Sequence, residues 1–168
     1  VDVNNYFTFT PLLHEAATGG VEPSHCAIPL RELIKAPHKF VQAKVERVNP
    51  DTKRVQTSAG VIEYKWCVVA LGSAVNYLSV PGAAEHSYNV RTLEAAIELH
   101  TDLVAALEQK TEKLAITVVG GGWTGVEVAG QYAQLIKKDV AAYYPHKKIQ
   151  LTILEGAPTV LSRLPENV

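Results

Sequence analysis

Residues 114–130 read LAITVVGGGWTGVEVAG, and their interpretation decides the fold. Leu114-Ala115-Ile116-Thr117-Val118-Val119 is apolar and rich in β-branched residues, the pattern of a buried strand. It runs directly into Gly120-Gly121-Gly122-Trp123-Thr124-Gly125, which satisfies G-x-G-x-x-G, and then into a helical pattern. Gly120 permits a tight strand-to-helix turn, Gly122 allows backbone N–H groups to approach a pyrophosphate, and Gly125 allows close helix–strand packing. The helix that follows starts with unsatisfied N–H donors and the positive end of its dipole. Glycines alone are a weak signal; a strand before them and a helix after make it specific.

Pro145 cannot continue a helix, so this one is expected to end near Tyr144. Val126, Ala129, Gly130, Ala133, Ile136 and Val140 recur at helical spacing and predict its packed face. Ile149-Gln150-Leu151-Thr152-Ile153-Leu154 is the next strand, and it ends in Glu155. A carboxylate there accepts hydrogen bonds from the ribose 2′-hydroxyl of NAD and repels the 2′-phosphate of NADP. Glu155 lies 30 residues beyond Gly125, against roughly 20 in the usual pattern. Extra helix and the Tyr143-Tyr144-Pro145-His146-Lys147-Lys148 turn account for the excess.

The rest of the chain frames this unit. Its 168 residues, 47% hydrophobic and 20% charged, suit a globular core. A net charge of −1 without a basic run gives no reason to expect nucleic acid. No apolar stretch is long enough to span a bilayer, and no signal or transit peptide is evident. Cys26 and Cys67 have neither C-x-x-C nor metal-ligand spacing and read as reduced thiols. No metal is expected: His14, His25, His38, His86 and His146 lack partners at ligand spacing, and His100 falls on an apolar helical stripe. The chain begins with Val, contains no Met and stops thirteen residues after Glu155, so a piece of a longer protein is expected.

Upstream, Tyr6-Phe7-Thr8-Phe9 predicts a strand that ends at Pro11, and Thr18-Gly19-Gly20 a break. Residues 29–34 predict a short helix with Pro29 at its first turn. Residues 40–48, 54–57 and 61–64 predict an antiparallel meander with turns at Asn49-Pro50-Asp51-Thr52 and Ser58-Ala59-Gly60. Residues 66–71, WCVVAL, predict a buried strand closed by Gly72-Ser73. Pro81-Gly82 marks a domain crossing, and residues 91–109 a helix capped by Thr92. The predicted fold is therefore α/β: a partial two-dinucleotide-binding, Rossmann-like arrangement with an antiparallel β-meander.

Three stretches resemble one family. Phe9-Thr10-Pro11-Leu12-Leu13 with Pro29-Leu30-Arg31, Val68-Val69-Ala70-Leu71-Gly72-Ser73 with Val80-Pro81-Gly82-Ala83, and residues 118–127 are similar to segments of type II (alternative, single-subunit) NADH dehydrogenases. These belong to the FAD/NAD-linked, pyridine nucleotide-disulfide oxidoreductase superfamily. Trp123 stands where proline is commoner in that family. The resemblance implies a flavin-domain part over residues 1–81 and the N-terminal part of an NADH domain over residues 82–168. It implies FAD and NADH as cofactors, with NADH passing hydride to FAD and the flavin passing electrons to a membrane quinone. Homodimerisation and peripheral attachment to the mitochondrial inner or bacterial cytoplasmic membrane follow by the same likeness.

Carried over by position, Gly120, Gly121, Gly122, Thr124 and Gly125 hold the NADH pyrophosphate, and Glu155 its ribose. Glu127 matches an acid near nicotinamide and flavin; its bland alternative is an acid stabilised by the helix dipole. Thr10 and Pro11 match residues near the isoalloxazine ring, while Ala43, Val45 and Gly72 match backbone around the FAD adenosine. The first flavin fingerprint is expected before Val1, and the quinone site and membrane helices in a missing C-terminal half, so the chain alone is expected to be inactive. Two rivals stand beside this reading. One is an FAD-dependent disulfide reductase of the same superfamily, which needs a redox cysteine pair; the other is a non-catalytic NAD-binding module.

Overall fold

The structure is a computed structural model that describes residues 1–162 and 164; residues 163 and 165–168, the tail of the second predicted domain, lie outside the described residues. The elements in chain order are β1 (Tyr6–Thr8), a 3-10 turn (Thr10–Leu12), α1 (Leu13–Thr18), a second 3-10 turn (Pro23–Cys26), β2 (Ala27–Pro29) and α2 (Leu30–Leu33). Next come β3 (Val45–Asn49), β4 (Arg54–Thr57), β5 (Gly60–Glu63), α3 (Ala83–His86) and α4 (Leu93–Glu108). The chain continues with β6 (Lys113–Val119), α5 (Trp123–Leu135), a π turn (Ile136–Val140), α6 (Ala141–Tyr143) and β7 (Lys148–Leu154). The architecture is mixed α/β, as expected. Chain contacts divide it into two compact units, one of Val1–Phe9 with Ala27–Asn76 and one of Thr10–Cys26 with Tyr77–Val168.

The first unit holds the predicted meander. β3, β4 and β5 pair antiparallel in that order, with Val48 opposite Val55 and Val55 opposite Ile62. Asn49 makes the first turn by accepting from the N–H groups of Asp51 and Thr52 through Oδ1. Arg54 and Glu63 face each other across the ladder and form an exposed ion pair at 2.7 Å. β1 and β2 form a separate antiparallel pair. The predicted strand at residues 40–48 shortens to β3, and Gln42 makes only an isolated bridge to Asp2.

Residues 66–71 correct the sequence reading. They form no strand, and Trp66, Val68 and Leu71 are 86%, 88% and 82% exposed. An apolar run is buried only where neighbouring strands pair with it and other layers cover both faces. Among the described residues no strand pairs with it, since the meander closes with β5.

In the second unit β6 and β7 pair in parallel, with Ile116 opposite Leu151. Leu114, Ile116, Val118, Ile149 and Leu151 turn one face toward Leu103 and Leu107 of α4 and Val128 and Tyr132 of α5. Thr92 caps α4 as predicted, its side chain accepting from the Ala95 N–H at 3.2 Å. α1 is a helix that the sequence pattern did not reveal. Its Leu13, Ala16 and Ala17 bury with Cys26 and Ala96 in a second cluster. Gly19 ends it at φ 81°, and a Cβ there would lie 2.9 Å from Cε1 of His100. Glycine takes the left-handed turn without strain, and a side chain there would also have to displace the His100 ring.

The helix after the glycines reaches Tyr143, close to its predicted end, but passes through the π turn. Its buried face is also partly offset from expectation. Of the predicted face Ala129 and Val140 are buried and Val126 and Ile136 half-buried, whereas Gly130 and Ala133 are exposed and Val128 and Tyr132 are buried in their place. The close Gly120–Gly125 approach described below holds the start of α5 against the end of β6, and Val128 and Tyr132 pack inward beside Ala129.

Candidate functional site: a glycine loop closed on an acid

The loop lies between the C-terminal end of β6 and the start of α5, the edge at which open α/β sheets bind ligands. Gly120 turns at φ 102°, a conformation that side chains disfavour, and its N–H donates to Leu154 O of β7 at 2.7 Å. A Cβ at Gly125 would lie 1.8 Å from Gly120 O, so no side chain fits there. Both glycines are therefore required by geometry. Gly122 is the N-cap, in extended backbone with no side chain to cap the helix. Val126 is the first residue whose N–H closes onto Gly122 O, at 3.0 Å. The N–H groups of Trp123, Thr124 and Gly125 precede any intrahelical acceptor, and with the helix dipole they make an anion-binding end.

Glu155 follows β7 immediately. Its Oε1 accepts from the Ala157 N–H at 2.8 Å, and its Oε2 accepts from the Gly121 N–H. The backbone N–H groups of Ala157 and then Gly121 hold its carboxyl below the usual carboxylate range, so it is a fixed anion at neutral pH. Gly121 is itself buried, and its carbonyl accepts from the Leu161 N–H at 2.7 Å. The involvement of residues 156–161 was not foreseen; the Gly156-Ala157-Pro158 turn signal directly after the strand was the available clue.

The structure brings Gly120, Gly121, Gly122, Thr124, Gly125 and Glu155 together at one end of β6 and β7. Thr124 is exposed in the first turn of α5, and Glu127 is exposed in the turn after it. Thr10 and Pro11 occupy the exposed 3-10 turn before α1 in the same unit. Ala43, Val45 and Gly72 belong to the other unit. Ala43 is buried and donates its N–H to Asp2 O at 2.9 Å. Val45 opens β3, and Gly72 sits at φ 70° in open space. A cleft of about 400 Å³ lined by Tyr77, Glu85, His86, Tyr88 and Glu98 shares no residue with the glycine loop. Cys26 and Cys67 are both free, and burial followed by the charge of Glu15 pushes the Cys26 thiol up.

Residues 2–168 match the family described as pyridine nucleotide-disulphide oxidoreductase. The chain belongs to that family. Among its relatives in the family, the type II NADH:quinone oxidoreductase of Staphylococcus aureus is 28% identical over 177 residues, covering all of this chain and 44% of that protein. The mitochondrial external alternative NAD(P)H-ubiquinone oxidoreductase B1 of Solanum tuberosum is 27% identical over 194 residues, covering all of this chain and 34% of that protein. Among solved structures, NDH2 from Plasmodium falciparum in complex with NADH superposes with a TM-score of 0.85 at 26% identity, over 99% of this chain and 38% of the other. The sulfide:quinone oxidoreductase of Aquifex aeolicus gives 0.74 at 26% identity, over 94% and 37%. The chain thus spans between a third and a half of the length of these oxidoreductases, and its fold is that of a pyridine nucleotide-disulphide oxidoreductase.

Proposed function

We propose that this chain is the nucleotide-handling part of a type II NADH:quinone oxidoreductase, with NADH as electron donor, FAD as carrier and a membrane quinone as acceptor. The observation that carries the reading is the glycine loop closed on Glu155. NADH fits this end of the sheet. Gly120 and Gly125 close the turn tightly against each other, Gly122 leaves open space where a side chain would stand, and the first turn of α5 offers the N–H groups of Trp123 and Thr124. The Glu155 carboxylate makes two backbone bonds and has lone pairs left for a ribose 2′-hydroxyl. Its charge disfavours a 2′-phosphate. Glu127, on the exposed side of α5, is proposed to lie near the nicotinamide.

FAD is a different case. The Ala43 N–H is already used by Asp2, Gly72 is open, and the first unit has no glycine loop leading into a helix among the described residues. These residues do not form an FAD pocket by themselves. Thr10, Pro11, Ala43, Val45 and Gly72 are proposed as this chain's share of the flavin contacts, with residues 1–81 on the flavin side and 82–168 on the NADH side. The enzyme is proposed to be a homodimer lying peripherally on the mitochondrial inner or bacterial cytoplasmic membrane. No helix among the described residues is long and apolar enough to cross one.

Titrating the chain with NADH and NADPH, read by nicotinamide fluorescence, tests the nucleotide assignment. A preference for NADH of about tenfold is expected from one like-charge contact near the surface. Equal affinities, or no binding of either, would remove the assignment. Quinone reduction by NADH with added FAD tests the wider activity when the longer parent protein is assayed; this chain alone is expected to show none.

A further inference from the structure

The peptide groups on both sides of Gly121 are already occupied. Its N–H donates to Glu155 Oε2, and its C=O accepts from Leu161. Leu161 holds φ 53°, a conformation that a residue with a side chain adopts only where its surroundings impose it. A Cβ at Gly121 would lie 2.9 Å from Glu155 Oε2 and 2.9 Å from Val160 Cγ1, so residue 121 is enclosed as well as bonded. Glu155 is in turn pinned on its other oxygen by the Ala157 N–H.

We propose that Glu155 is a positioning residue for the pyrophosphate loop, acting through Gly121, in addition to its contact with ribose. This rests on the NADH reading above and deepens it. Gly121 then gives no N–H to the phosphates; it serves as the loop's anchor, and the donors that remain are those of the first turn of α5. The requirement for a carboxylate is chemical. Two N–H donors converge on two oxygens of one side chain, and an amide in the same place offers one oxygen and turns an NH₂ group toward the second donor. Glu155→Gln therefore keeps the shape of the side chain but breaks one arm of the clamp.

Two measurements on the full chain test this. The first is hydrogen exchange at the Gly121 amide without any nucleotide, in the unmutated chain, Glu155→Gln and Glu155→Asp. Loss of a charge-assisted hydrogen bond is expected to speed Gly121 exchange by about tenfold in Glu155→Gln, with Asp restoring part of the protection. The second is the affinity for NADH and for reduced nicotinamide mononucleotide, which lacks the adenosine ribose altogether. A clamp predicts that Glu155→Gln weakens both. A role confined to ribose predicts that only NADH weakens, and unchanged Gly121 exchange or an untouched mononucleotide affinity would overturn the proposal. Should the unmutated chain bind neither nucleotide, the NADH reading fails, while the exchange measurement still decides the clamp.

Discussion

At the scale of single residues, Lys147 shows how a charged side chain becomes structural. It is buried, and its Nζ donates to the carbonyls of Ala106, Gln109 and Thr111, at 3.2, 2.6 and 2.7 Å. These carbonyls lie at and just beyond the C-terminal end of α4, where intrahelical donors run out and the dipole is negative. Lys147→Met preserves the apolar stem but leaves the carbonyls without the ammonium. A loss of about 2 kcal/mol is expected from chemical denaturation, the magnitude of hydrogen bonds to a charged group. An unchanged midpoint would show that water replaces the ammonium at no cost. Tyr132 is the contrasting case. Burial, and then the nearby Tyr88, pushes its hydroxyl up to about 12, so it remains a neutral core ring. Neither role was legible in sequence. Lys147 stood in a polar turn like its neighbour Lys148, and only the fold placed α4 beside it.

At the scale of elements, the long, periodic or punctuated ones were readable. β6, the glycine turn, β7 and α4 lie close to their expected positions because each carries its own signal: an apolar run, a G-x-G-x-x-G, a threonine cap. α1 was missed because six residues give too short a window for a period of 3.6. The face of α5 was read correctly at Ala129 and Val140 but not at Gly130 and Ala133, because Val128 and Tyr132 form a second apolar stripe beside it and the close Gly120–Gly125 approach favours that one. The α4 cap gives a direct check. Thr92→Ala removes the acceptor of the Ala95 N–H and is expected to cost about 1 kcal/mol, measured by thermal melting. Thr92→Asp should retain most of it. If alanine and aspartate melt alike, the cap contributes nothing.

At the scale of the whole molecule, exposed apolar surface governs behaviour. Besides residues 66–71, Val119 is 78% exposed and Trp123 62%, both at the glycine-loop end of the second unit. The β6–β7 pair turns Ala115, Thr117 and Val119 away from its packed face, and the sheet ends there among the described residues. Unpaired strand edges and apolar patches of this kind drive association. The chain is expected to self-associate as its concentration rises, seen as a growing scattering mass, and to bind an apolar fluorescent dye. A constant monomer mass over the range from about 1 μM to 1 mM would contradict this, since even weak contacts populate within it.

The sequence by itself determined the local chemistry: a strand, a glycine turn and a helix in succession, an acid at the end of the next strand, and a meander with its turns. Backbone conformation and side-chain periodicity act over a few residues, so a linear reading suffices for them. Tertiary structure alone decided which face of α5 is buried, that Lys147 caps α4, and that Glu155 holds Gly121 from 34 residues away. It also decided that residues 66–71, apolar enough for a core, stand in solvent. Burial and hydrogen-bond partnership belong to pairs of segments, and no single segment carries the identity of its partner.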